Sequence, residues 1–471
     1  MQKILLKSVI DSSPHFSFNA DEEIKNALAE FDKKVIVLDD DPTGVQTVFD
    51  IPVYTAWDRE SIENGFADSG MFFVLTNSRG LSADAAKRLN IDIAENIFSV
   101  SQASGKDFVL ISRSDSTLRG HYPLETMTLR KTLEKSGSRR FDGEIICPFF
   151  IEGGRYTYRN THYVLYGEEL IPSGDTEFAR DKSFGYQSSD LRYWVEEKTG
   201  GAYSNSDVTS VSLETIRTGG PGAVAEILNG VSGFGKVIVN ALCYEDIKLF
   251  LAGYIKSVIG GKNFIFRSAA AIPKILGGVP DRPLLQKEQL TDNGCNGGLV
   301  VIGSHVEKTT KQLEVLKNNT EISAVEFNQH LALDKQAFSA ELERIKTLVN
   351  ELIGSGKDVV VYTRRDRMDM NTGNANDELN LSRSISDAVA GIVRGLDVRP
   401  AYIIAKGGIT SSDIGTLGLQ VRRAVVAGQI LPGVPVWRLG KESRFPGLAY
   451  IIFPGNVGGE DALAKVVSSL C

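Results

Sequence analysis

Residues 35–48 read Val-Ile-Val-Leu-Asp-Asp-Asp-Pro-Thr-Gly-Val-Gln-Thr-Val. Four apolar residues run into three aspartates and a Pro-Thr-Gly turn, which is the pattern of a buried parallel strand that ends in a loop. Ligands of open α/β sheets bind at the carboxyl ends of the strands, so the aspartates lie where a site is expected. Three adjacent carboxylates repel one another unless a cation offsets their charge or one of them binds a proton. The alternative is a solvated loop without a ligand.

The same alternation of strand, polar loop and helix recurs along the chain. Further strands are predicted at 71–75, 108–112, 144–147, 236–240, 264–266, 299–302, 358–362, 401–405 and 449–453. This order is typical of doubly wound, mainly parallel sheets. Residues 277–298 have the glycine-rich and proline-rich composition of a linker. We therefore predict an α/β protein of two doubly wound domains, residues 1–290 and 299–471, with the active site in the cleft between them.

One long stretch departs from this alternation. Across residues 156–213 the apolar periodicity weakens, and Arg, Asp, Ser, Gly and aromatic residues dominate. A stretch of this length inside a compact domain is usually functional. We predict that it is an irregular loop or lid.

Charge and cysteine content narrow the classes of partner. The 471 residues carry a formal net charge of −7, which argues against binding to nucleic acid or to an anionic membrane surface. The four cysteines lie far apart and form no C-x-x-C pair, so reduced thiols in the cytoplasm are expected. No apolar run reaches membrane-spanning length, and we predict a cytoplasmic protein that can form a homodimer.

Arginines and aspartates recur in the strand-end loops of the first domain. The planar fork of an arginine matches a carboxylate bidentately, and aspartates can accept hydrogen bonds from hydroxyl groups. The pattern predicts a small, anionic, polyhydroxylated substrate, with one aspartate acting as a base. The charged candidates are Asp40, Asp41, Asp115, Arg79, Arg113, Arg119 and Arg155, and Ser78 lies in the same set of loops.

Glycine pairs stand between strands and helices in the second domain. Glycine lets the backbone approach an oxyanion, and the first amides of the following helix point at it with a favourable dipole. Neither G-x-x-x-x-G-K-[ST] nor G-x-G-x-x-G occurs at a strand end, so these loops are the candidates for holding nucleotide phosphates. The candidate residues are Gly303, Ser304, Thr363, Arg364, Gly407, Gly408, Ile409, Thr410, Ser411, Gly455 and Asn456.

No metal ligands are assigned from the sequence. The five histidines show no i, i+4 pair and no metal-ligand spacing. A serine hydrolase is not indicated either, because the nucleophile motif G-x-S-x-G is missing.

Five motifs in this order resemble the four-carbon acid sugar kinase family. They are Asp40-Asp41-Pro42-Thr43-Gly44, the run from Ser114 to Gly120, Gly154-Arg155-x-Thr157, Gly407-Gly408-x-Thr410-Ser411 and Leu431-Pro432-Gly433-Val434-Pro435. The resemblance extends over nearly the whole chain. It implies a sugar-acid-binding N-terminal domain, a nucleotide-binding C-terminal domain, and phosphorylation of threonate, erythronate or an oxo-tetronate at the terminal hydroxyl by ATP.

The resemblance also implies residue roles. Asp40, Asp41, Thr43 and Gly44 fall on the first motif and Ser116 and Thr117 on the second, and both motifs belong to the substrate side. Ser304 and the loops at 407–411 and 455–456 fall on the nucleotide side. Three departures are visible: Pro42 stands where an aromatic residue is usual, Asp39 where a small residue is common, and Phe453-Pro454-Gly455-Asn456 where the family has Lys-Ser-Gly-Asn.

The sequence thus predicts a kinase that uses ATP and Mg²⁺ and acts on a small sugar acid. Asp41 or Asp115 is expected to orient the terminal hydroxyl and accept its proton. Two alternatives remain open: a kinase of a different small hydroxy acid, and a non-catalytic sensor that binds a sugar acid and a nucleotide.

Overall fold

The computed structural model describes residues 4–68, 70–135, 137, 139–291, 294–366, 368, 375–455 and 457–470, without the side chains of 375–380. The chain divides into two compact units. The first contains Met1–Val48 and Ala56–Asp281, and the second contains Phe49–Thr55 and Arg282–Cys471. A short segment near the start of the chain therefore belongs to the second unit, which the sequence did not indicate.

The strands up to residue 281 are β1 (Ile4–Leu5), β2 (Lys34–Asp39), β3 (Pro52–Tyr54), β4 (Met71–Leu75), β5 (Phe108–Arg113), β6 (Gly143–Cys147), β7 (Arg155–Tyr158), β8 (Thr161–Tyr166), β9 (Glu169–Pro172), β10 (Thr209–Val211), β11 (Gly235–Val239) and β12 (Phe264–Ser268). The helices are α1 (Leu6–Asp11), α2 (Ala20–Ala29), α3 (Arg59–Asp68), α4 (Ala83–Ser104), α5 (Leu124–Glu134), α6 (Leu191–Lys198), α7 (Gly220–Gly230), α8 (Tyr244–Ile259) and α9 (Ala271–Leu276).

The first unit is built on a parallel sheet with the strand order β10-β11-β6-β12-β5-β2-β4. Strand β2 lies between β5 and β4, and its apolar side chains from Val35 to Leu38 are all buried. Burial of both faces explains why this strand reads as a continuous apolar run. The predicted doubly wound α/β fold is confirmed, and the carboxyl ends of β2, β4 and β5 lie side by side.

The prediction of an irregular loop at 156–213 is wrong. Strands β7, β8 and β9 form an antiparallel sheet with β1, and α6 and β10 follow. Strands β7 and β8 are joined by a tight turn at Arg159-Asn160, where both residues have positive φ angles. Strands β7 and β8 bury polar side chains such as Thr157 and His162. Short strands of this kind do not show the regular apolar pattern from which strands are predicted.

The second unit contains β3 with strands β13 (Leu299–Ile302), β14 (Ser323–Phe327), β15 (Val359–Thr363), β16 (Ile403–Lys406), β17 (Arg423–Leu431), β18 (Val434–Leu439) and β19 (Ala449–Phe453). Its helices are α10 (Glu307–Asn319), α11 (Lys335–Gly354), α12 (Ala375–Arg394), α13 (Gly408–Asp413) and α14 (Ala462–Ser468).

The sheet of the second unit is mixed. Its strand order is β3-β17-β18-β19-β16-β13-β15-β14, antiparallel from β3 to β19 and parallel from β19 to β14. A core of buried residues from β13, β16, β19 and α14, including Val300, Ile404 and Ile451, lies on it. Strands β13, β16 and β19 are neighbours, so the glycine loops that follow them reach the same edge. In the part of the chain that the structure describes, no helix has both the length and the hydropathy needed to cross a membrane.

A buried ion pair in the first unit provides a test of the fold. Lys236 on β11 and Glu144 on β6 are paired in register, with 2.5 Å between Nζ and Oε2, and both side chains are fully buried. We expect Lys236→Met to lower the free energy of unfolding by about 3–5 kcal/mol, because it leaves the Glu144 carboxylate buried without its counter-charge. Urea denaturation of the variant and the wild type measures the difference.

The control for this variant is Lys465→Met. Lys465 pairs with Asp461 at 2.6 Å on an exposed part of α14, and exposed pairs contribute at most about 1 kcal/mol. The double variant Lys236→Met with Glu144→Leu should recover most of the loss, since it removes both buried charges. A single variant as stable as the wild type would contradict the assignment of the pair as a buried ion pair.

Candidate active site

The loops after β2, β4 and β5 bring aspartates and arginines together in the first unit. Arg79, in the helical turn Ser78–Gly80, contacts the carboxylate of Asp41, and its Nη1 lies 3.3 Å from Asp115 Oδ1. Arg119 binds Asp115 through Nε at 2.8 Å and Nη2 at 3.2 Å. One arginine thus links two carboxylates from different loops, and a second arginine holds one of them bidentately.

Asp41 and Asp115 are held in their ionised forms. Each accepts hydrogen bonds from the backbone and the hydroxyl of the threonine two residues later, Thr43 and Thr117. Burial raises the pKa of Asp41, but the charge of Arg79 and the Thr43 bonds outweigh it and bring that pKa below its ordinary value. Arg79 and Arg119 overcome burial in the same way and hold the pKa of Asp115 well below its usual range. Both carboxylates are therefore suited to binding hydroxyl groups and poorly suited to accepting a proton.

Asp40 lies in a different environment. Its side chain is 3% exposed, Ser114 Oγ donates to Oδ2 at 2.7 Å, and Oδ1 has no hydrogen-bond partner in the structure. Arg113 Nη1 lies 3.8 Å from Oδ1, which is beyond hydrogen-bond distance. Burial raises the pKa of Asp40 in spite of the charges of Arg79 and Arg113. Of the three candidate aspartates, Asp40 is the one whose environment favours proton acceptance.

Asp39 contacts the loop that follows β2. Its Oδ1 accepts a hydrogen bond from the backbone of Asp41 at 3.3 Å and lies 3.2 Å from Arg113 Nη1. Burial raises the pKa of Asp39 to about 7, the charge of Arg113 opposes this effect, and Asp40 and Asp41 add to it. A side chain at Gly44 would occupy the space of this carboxylate, so Gly44 is needed for close approach. Arg113 is buried against Asp39 and Asp40, so its guanidinium group faces these two carboxylates.

Ser78 belongs to a supporting layer beside the network. Its hydroxyl donates to Glu125 Oε1 at 2.5 Å, and Arg267 Nη1 lies 2.5 Å from Glu125 Oε2. Arg267 also donates to Ser112 Oγ at 3.0 Å. Glu125 and Arg267 come from α5 and β12, and no motif in the sequence pointed to either.

Arg119 and Arg155 both lie over the same aromatic ring. Their guanidinium carbons lie 5.1 Å and 5.4 Å from the centre of the Phe178 ring, and Asp181 is 3.7 Å from Arg119 Nη1. Within the described part of the chain, Arg155 forms no ion pair, and its buried Nε has no hydrogen-bond partner. Arg155 is therefore a cation available for an anionic ligand. Phe178 and Asp181 were not predicted as site residues because they lie in the segment predicted as a loop or lid.

His162 fixes the loop that carries Ser116 and Thr117. Its Nε2 lies 2.8 Å from the carbonyl oxygen of Ser116, and Nδ1 lies 3.0 Å from Thr157 Oγ1. Burial lowers the pKa of His162 to about 4, so the ring is neutral at pH 7. Since a carbonyl can only accept, Nε2 donates and Nδ1 accepts from the threonine hydroxyl. Ser116 contributes its carbonyl group to this contact.

Gly120 is required by the packing of the site. Its φ angle is +115°, and a Cβ atom there would lie 2.8 Å from Ser114 Oγ and from Arg267 Nη2 and 3.2 Å from Asp40 Oδ2. We expect Gly120→Ala to destabilise the protein by about 1–3 kcal/mol and to abolish ligand binding in the first unit, because the methyl group displaces Ser114 and Arg267. Thermal unfolding and calorimetric titration of a sugar acid measure the two effects.

Gly105→Ala is the matched control. Gly105 also has a positive φ angle, +65°, but nothing lies within 4 Å of the position of its Cβ. It should therefore cost backbone strain alone and leave ligand binding unchanged. Equal binding by Gly120→Ala and the wild type would show that Gly120 does not shape the site.

The glycine loops of the second unit converge. A Cβ on Gly303 would lie 2.6 Å from Thr410 Oγ1, and one on Gly407 would lie 3.1 Å from Ser304 Cβ. A Cβ on Gly455 would lie 4.0 Å from Ser304 Oγ. The loops after β13, β16 and β19 thus meet around Ser304. Small residues at this edge allow an anion to approach the backbone closely.

The other candidates of the second unit are placed unevenly. Gly408 opens α13 and Ile409 is exposed, while Ser411 Oγ donates to the carbonyl oxygen of Ala405 at 2.9 Å. Thr363 ends β15 with its hydroxyl buried and without a hydrogen-bond partner in the structure. Arg364 is turned towards Asp366, at 3.2 Å and 3.3 Å. Asn456 lies outside the described residues.

Two cations near this edge were not identified from the sequence. Arg365 contacts the carbonyl oxygen of Ser304 and donates to Thr310 Oγ1 at 3.0 Å. Lys406, the last residue of β16, is fully buried, and its Nζ lies 2.5 Å from the carbonyl oxygen of Pro454. Both sit next to motifs that were assigned to phosphate binding, and that adjacency was the only sequence signal.

Metal-binding groups were sought among the acidic residues, histidines and cysteines. Within the described ranges, no cluster of three or more such residues could hold a metal ion. Mg²⁺ is often bound by one or two carboxylates together with substrate phosphates.

Comparison with known families defines the class of protein. The model of a sugar-binding N-terminal domain matches residues 35–276, and the model of a nucleotide-binding C-terminal domain matches residues 299–463. The fold and the two sets of loops are thus those of a protein with a sugar-binding and a nucleotide-binding domain. The chain belongs to the four-carbon acid sugar kinase family, also known as DUF1537.

Solved structures share this fold. One is protein HI1011 of Haemophilus influenzae, a DUF1537 protein, with 16% identity, a TM-score of 0.60, and coverage of 92% of this chain and 99% of that one. Another is a Salmonella typhimurium LT2 protein provisionally described as a tRNA synthase, with 15% identity, a TM-score of 0.61, and coverage of 92% and 98%. At these identities the likeness concerns the fold alone. No curated protein is significantly similar to the chain in sequence.

Proposed function

We propose that the protein is an ATP-dependent kinase that phosphorylates the terminal hydroxyl of a four-carbon sugar acid: threonate, erythronate or an oxo-tetronate. The observation that carries the proposal is the unequal state of the aspartates in the sugar-binding domain. Asp41 and Asp115 are held ionised by Arg79 and Arg119, whereas Asp40 is buried with an unpaired oxygen and a raised pKa. A polyol needs fixed acceptors for its hydroxyl groups and one base, and this arrangement supplies both.

The acid end of the substrate would be bound by arginine. Arg155 has no ion pair within the described residues, and Arg119 lies over the same aromatic ring. A carboxylate next to these two side chains would receive charge-assisted hydrogen bonds. The hydroxyl groups would then be oriented by Asp41, Asp115, Thr43 and Thr117. This assignment explains why a small, anionic, polyhydroxylated molecule is the preferred ligand class.

Proton transfer is assigned to Asp40. Its free Oδ1 would accept the proton of the terminal hydroxyl as the hydroxyl oxygen forms its bond to the γ-phosphorus of ATP and the bond to the ADP oxygen breaks. This role replaces the expectation of a base at Asp41 or Asp115, because arginines make both of those carboxylates weak bases. Ser114 keeps the Asp40 carboxylate in place through Oδ2.

The second unit would hold the nucleotide. Backbone amides of the loops around Ser304, Gly407 and Gly455 would bind its phosphate groups. Mg²⁺, bound with the nucleotide, would neutralise part of the phosphate charge. We place the protein in the cytoplasm, where its separated cysteines would remain reduced, and we retain the homodimer as a proposal that light scattering can test.

The experiment that tests the function is ADP release from Mg-ATP with a panel of four-carbon acids. The panel contains both threonates, both erythronates and their oxo forms. Saturable turnover on one acid would establish the kinase and its substrate. Turnover only on acids of another length would favour the alternative hydroxy-acid kinase. Binding of both ligands without ADP release would favour a sensor and overturn the proposal.

A further inference from the structure

Lys406 is a buried cation in the second unit. It ends β16, is paired in register with Phe453 of β19, and its ammonium group lies 4.2 Å from the centre of the Phe453 ring. Its Nζ donates to the carbonyl oxygen of Pro454 at 2.5 Å. Among the residues that the structure describes, no carboxylate forms an ion pair with it. A fully buried ammonium group without a counter-charge is costly, so its presence requires an explanation.

Lys406 lies beside the last glycine loop of the second unit. Strands β16 and β19 are parallel neighbours, so their carboxyl ends reach the same edge of the sheet. The lysine side chain from β16 therefore reaches the loop that follows β19.

Arg365 is a second cation at the same edge. Its Nε and Nη2 atoms lie 3.2 Å and 3.0 Å from Thr310 Oγ1, and it also contacts the carbonyl oxygen of Ser304. Its Nη1 atom is buried and has no hydrogen-bond partner in the structure. Thr310 lies in the first turn of α10, a helix of 13 residues, so the positive end of the helix dipole adds to the cationic field.

We infer that Lys406 and Arg365 are phosphate-binding cations of the second unit, and that the polyphosphate of a nucleotide is their counter-charge. This inference rests on the proposed binding of a nucleotide in the second unit. It does not require that the nucleotide is consumed. It therefore holds for a kinase of any hydroxy acid and for a sensor.

Nucleotide binding at Lys406 should depend on pH. Burial, reinforced by the charge of Lys308, lowers the pKa of Lys406 to about 7. A polyphosphate binds the protonated form, so it raises this pKa and draws a proton from solution when the free lysine is neutral. Nucleotide affinity should thus fall as the pH rises above 7, and below 7 this lysine adds no pH dependence.

The test is isothermal titration of ATP and AMP into the full-length protein at pH 8. Wild type and Lys406→Met are compared in buffers of different ionisation enthalpy. We expect the variant to bind ATP at least about tenfold more weakly and AMP with little change, because AMP carries one phosphate. We also expect the wild type to take up a fraction of a proton when it binds ATP, and the variant to take up less. Lys465→Met, an exposed lysine of α14 in the same unit, is the control and should bind ATP like the wild type.

Each other outcome decides the question. Equal ATP affinities of the wild type and Lys406→Met would overturn the inference. An equal loss of affinity for ATP and for AMP would also overturn it, because it indicates a structural role of Lys406. If the variant does not fold, proton uptake by the wild type decides, and its absence overturns the inference. If the wild type binds no ATP, the proposed function itself fails. ATP binding without turnover on any acid removes the kinase and leaves the role of Lys406 intact.

Discussion

Asp40→Asn is expected to lower kcat for sugar-acid phosphorylation by roughly 10²–10⁴-fold while nucleotide binding is unchanged. The asparagine keeps the shape of the side chain and the hydrogen bond with Ser114 but cannot accept the proton of the hydroxyl group. Because the pKa of Asp40 is raised, the ionised carboxylate destabilises the folded protein on balance, so the variant should melt at the same temperature as the wild type or higher. Steady-state ADP release, ATP titration and thermal unfolding together measure these effects.

Ser114→Ala is the matched control for this variant. It removes the 2.7 Å hydrogen bond that positions Asp40 Oδ2 but keeps the carboxylate group itself, so kcat should fall far less than in Asp40→Asn. In the wild type, kcat should decline as the pH falls through the raised pKa of the base, and the residual activity of Asp40→Asn should lack this decline. Turnover of Asp40→Asn within a few-fold of the wild type would remove Asp40 from the mechanism.

Arg79→Met should produce the second large effect, on both stability and sugar-acid binding. Arg79 contacts Asp41 and lies 3.3 Å from Asp115, and its side chain is 23% exposed. Its loss leaves two largely buried carboxylates, 14% and 12% exposed, with less counter-charge, which we expect to cost up to about 3 kcal/mol of unfolding free energy at pH 7. Urea denaturation measures this cost, and calorimetry with the sugar acid should show no binding.

The pH dependence of stability gives this prediction a sign. In the wild type the pKa values of Asp41 and Asp115 are lowered, so their contribution is complete above the unfolded pKa near 4 and is lost as the pH falls below it. In Arg79→Met the pKa of Asp41 loses the lowering effect of the Arg79 charge, so the loss of stability on acidification should be smaller than in the wild type. Unchanged pH dependence in the variant would show that Arg79 does not determine the state of these carboxylates.

The control for Arg79→Met is Arg59→Met, in the same unit. Arg59 pairs with Glu63 one helical turn away at 2.7 Å, and both side chains are about half exposed. Solvent screens such a pair, so its removal should cost less than about 1 kcal/mol. A similar loss of unfolding free energy in the two variants would show that the low exposure of Asp41 and Asp115 does not strengthen their interaction with Arg79.

Much of the fold was predictable because parallel strands buried on both faces leave a clear apolar run. The strands at 71–75 and 449–453 were predicted with the bounds that the structure shows. The antiparallel sheet of β7, β8 and β9 was not, because its strands are short and bury polar residues. Strand β3 was missed for a different reason: its partner β17 is remote in the sequence, and no local pattern encodes such a pairing.

The candidate site was likewise predictable from the sequence only in part. The loops that carry Asp40, Asp41, Asp115 and Arg79 were identified from the sequence, since strand ends of a parallel sheet deliver loops to one edge. The ranking of the aspartates was not accessible, because it depends on which carboxylate each arginine reaches in space. Lys406 was also missed, since only the pairing of β16 with β19 places it beside the last loop.

The placement of β3 has a consequence for how the protein is made. The segment Phe49–Thr55 leaves the ribosome early but pairs with β17, which is synthesised much later. The second unit therefore cannot complete its sheet from its own contiguous sequence, and a gene fragment that begins at residue 299 would encode a sheet in which β17 is an open edge. Such an edge invites pairing with another chain. The two halves of the gene are thus tied to one another, and neither could be exchanged between relatives as an independent cassette.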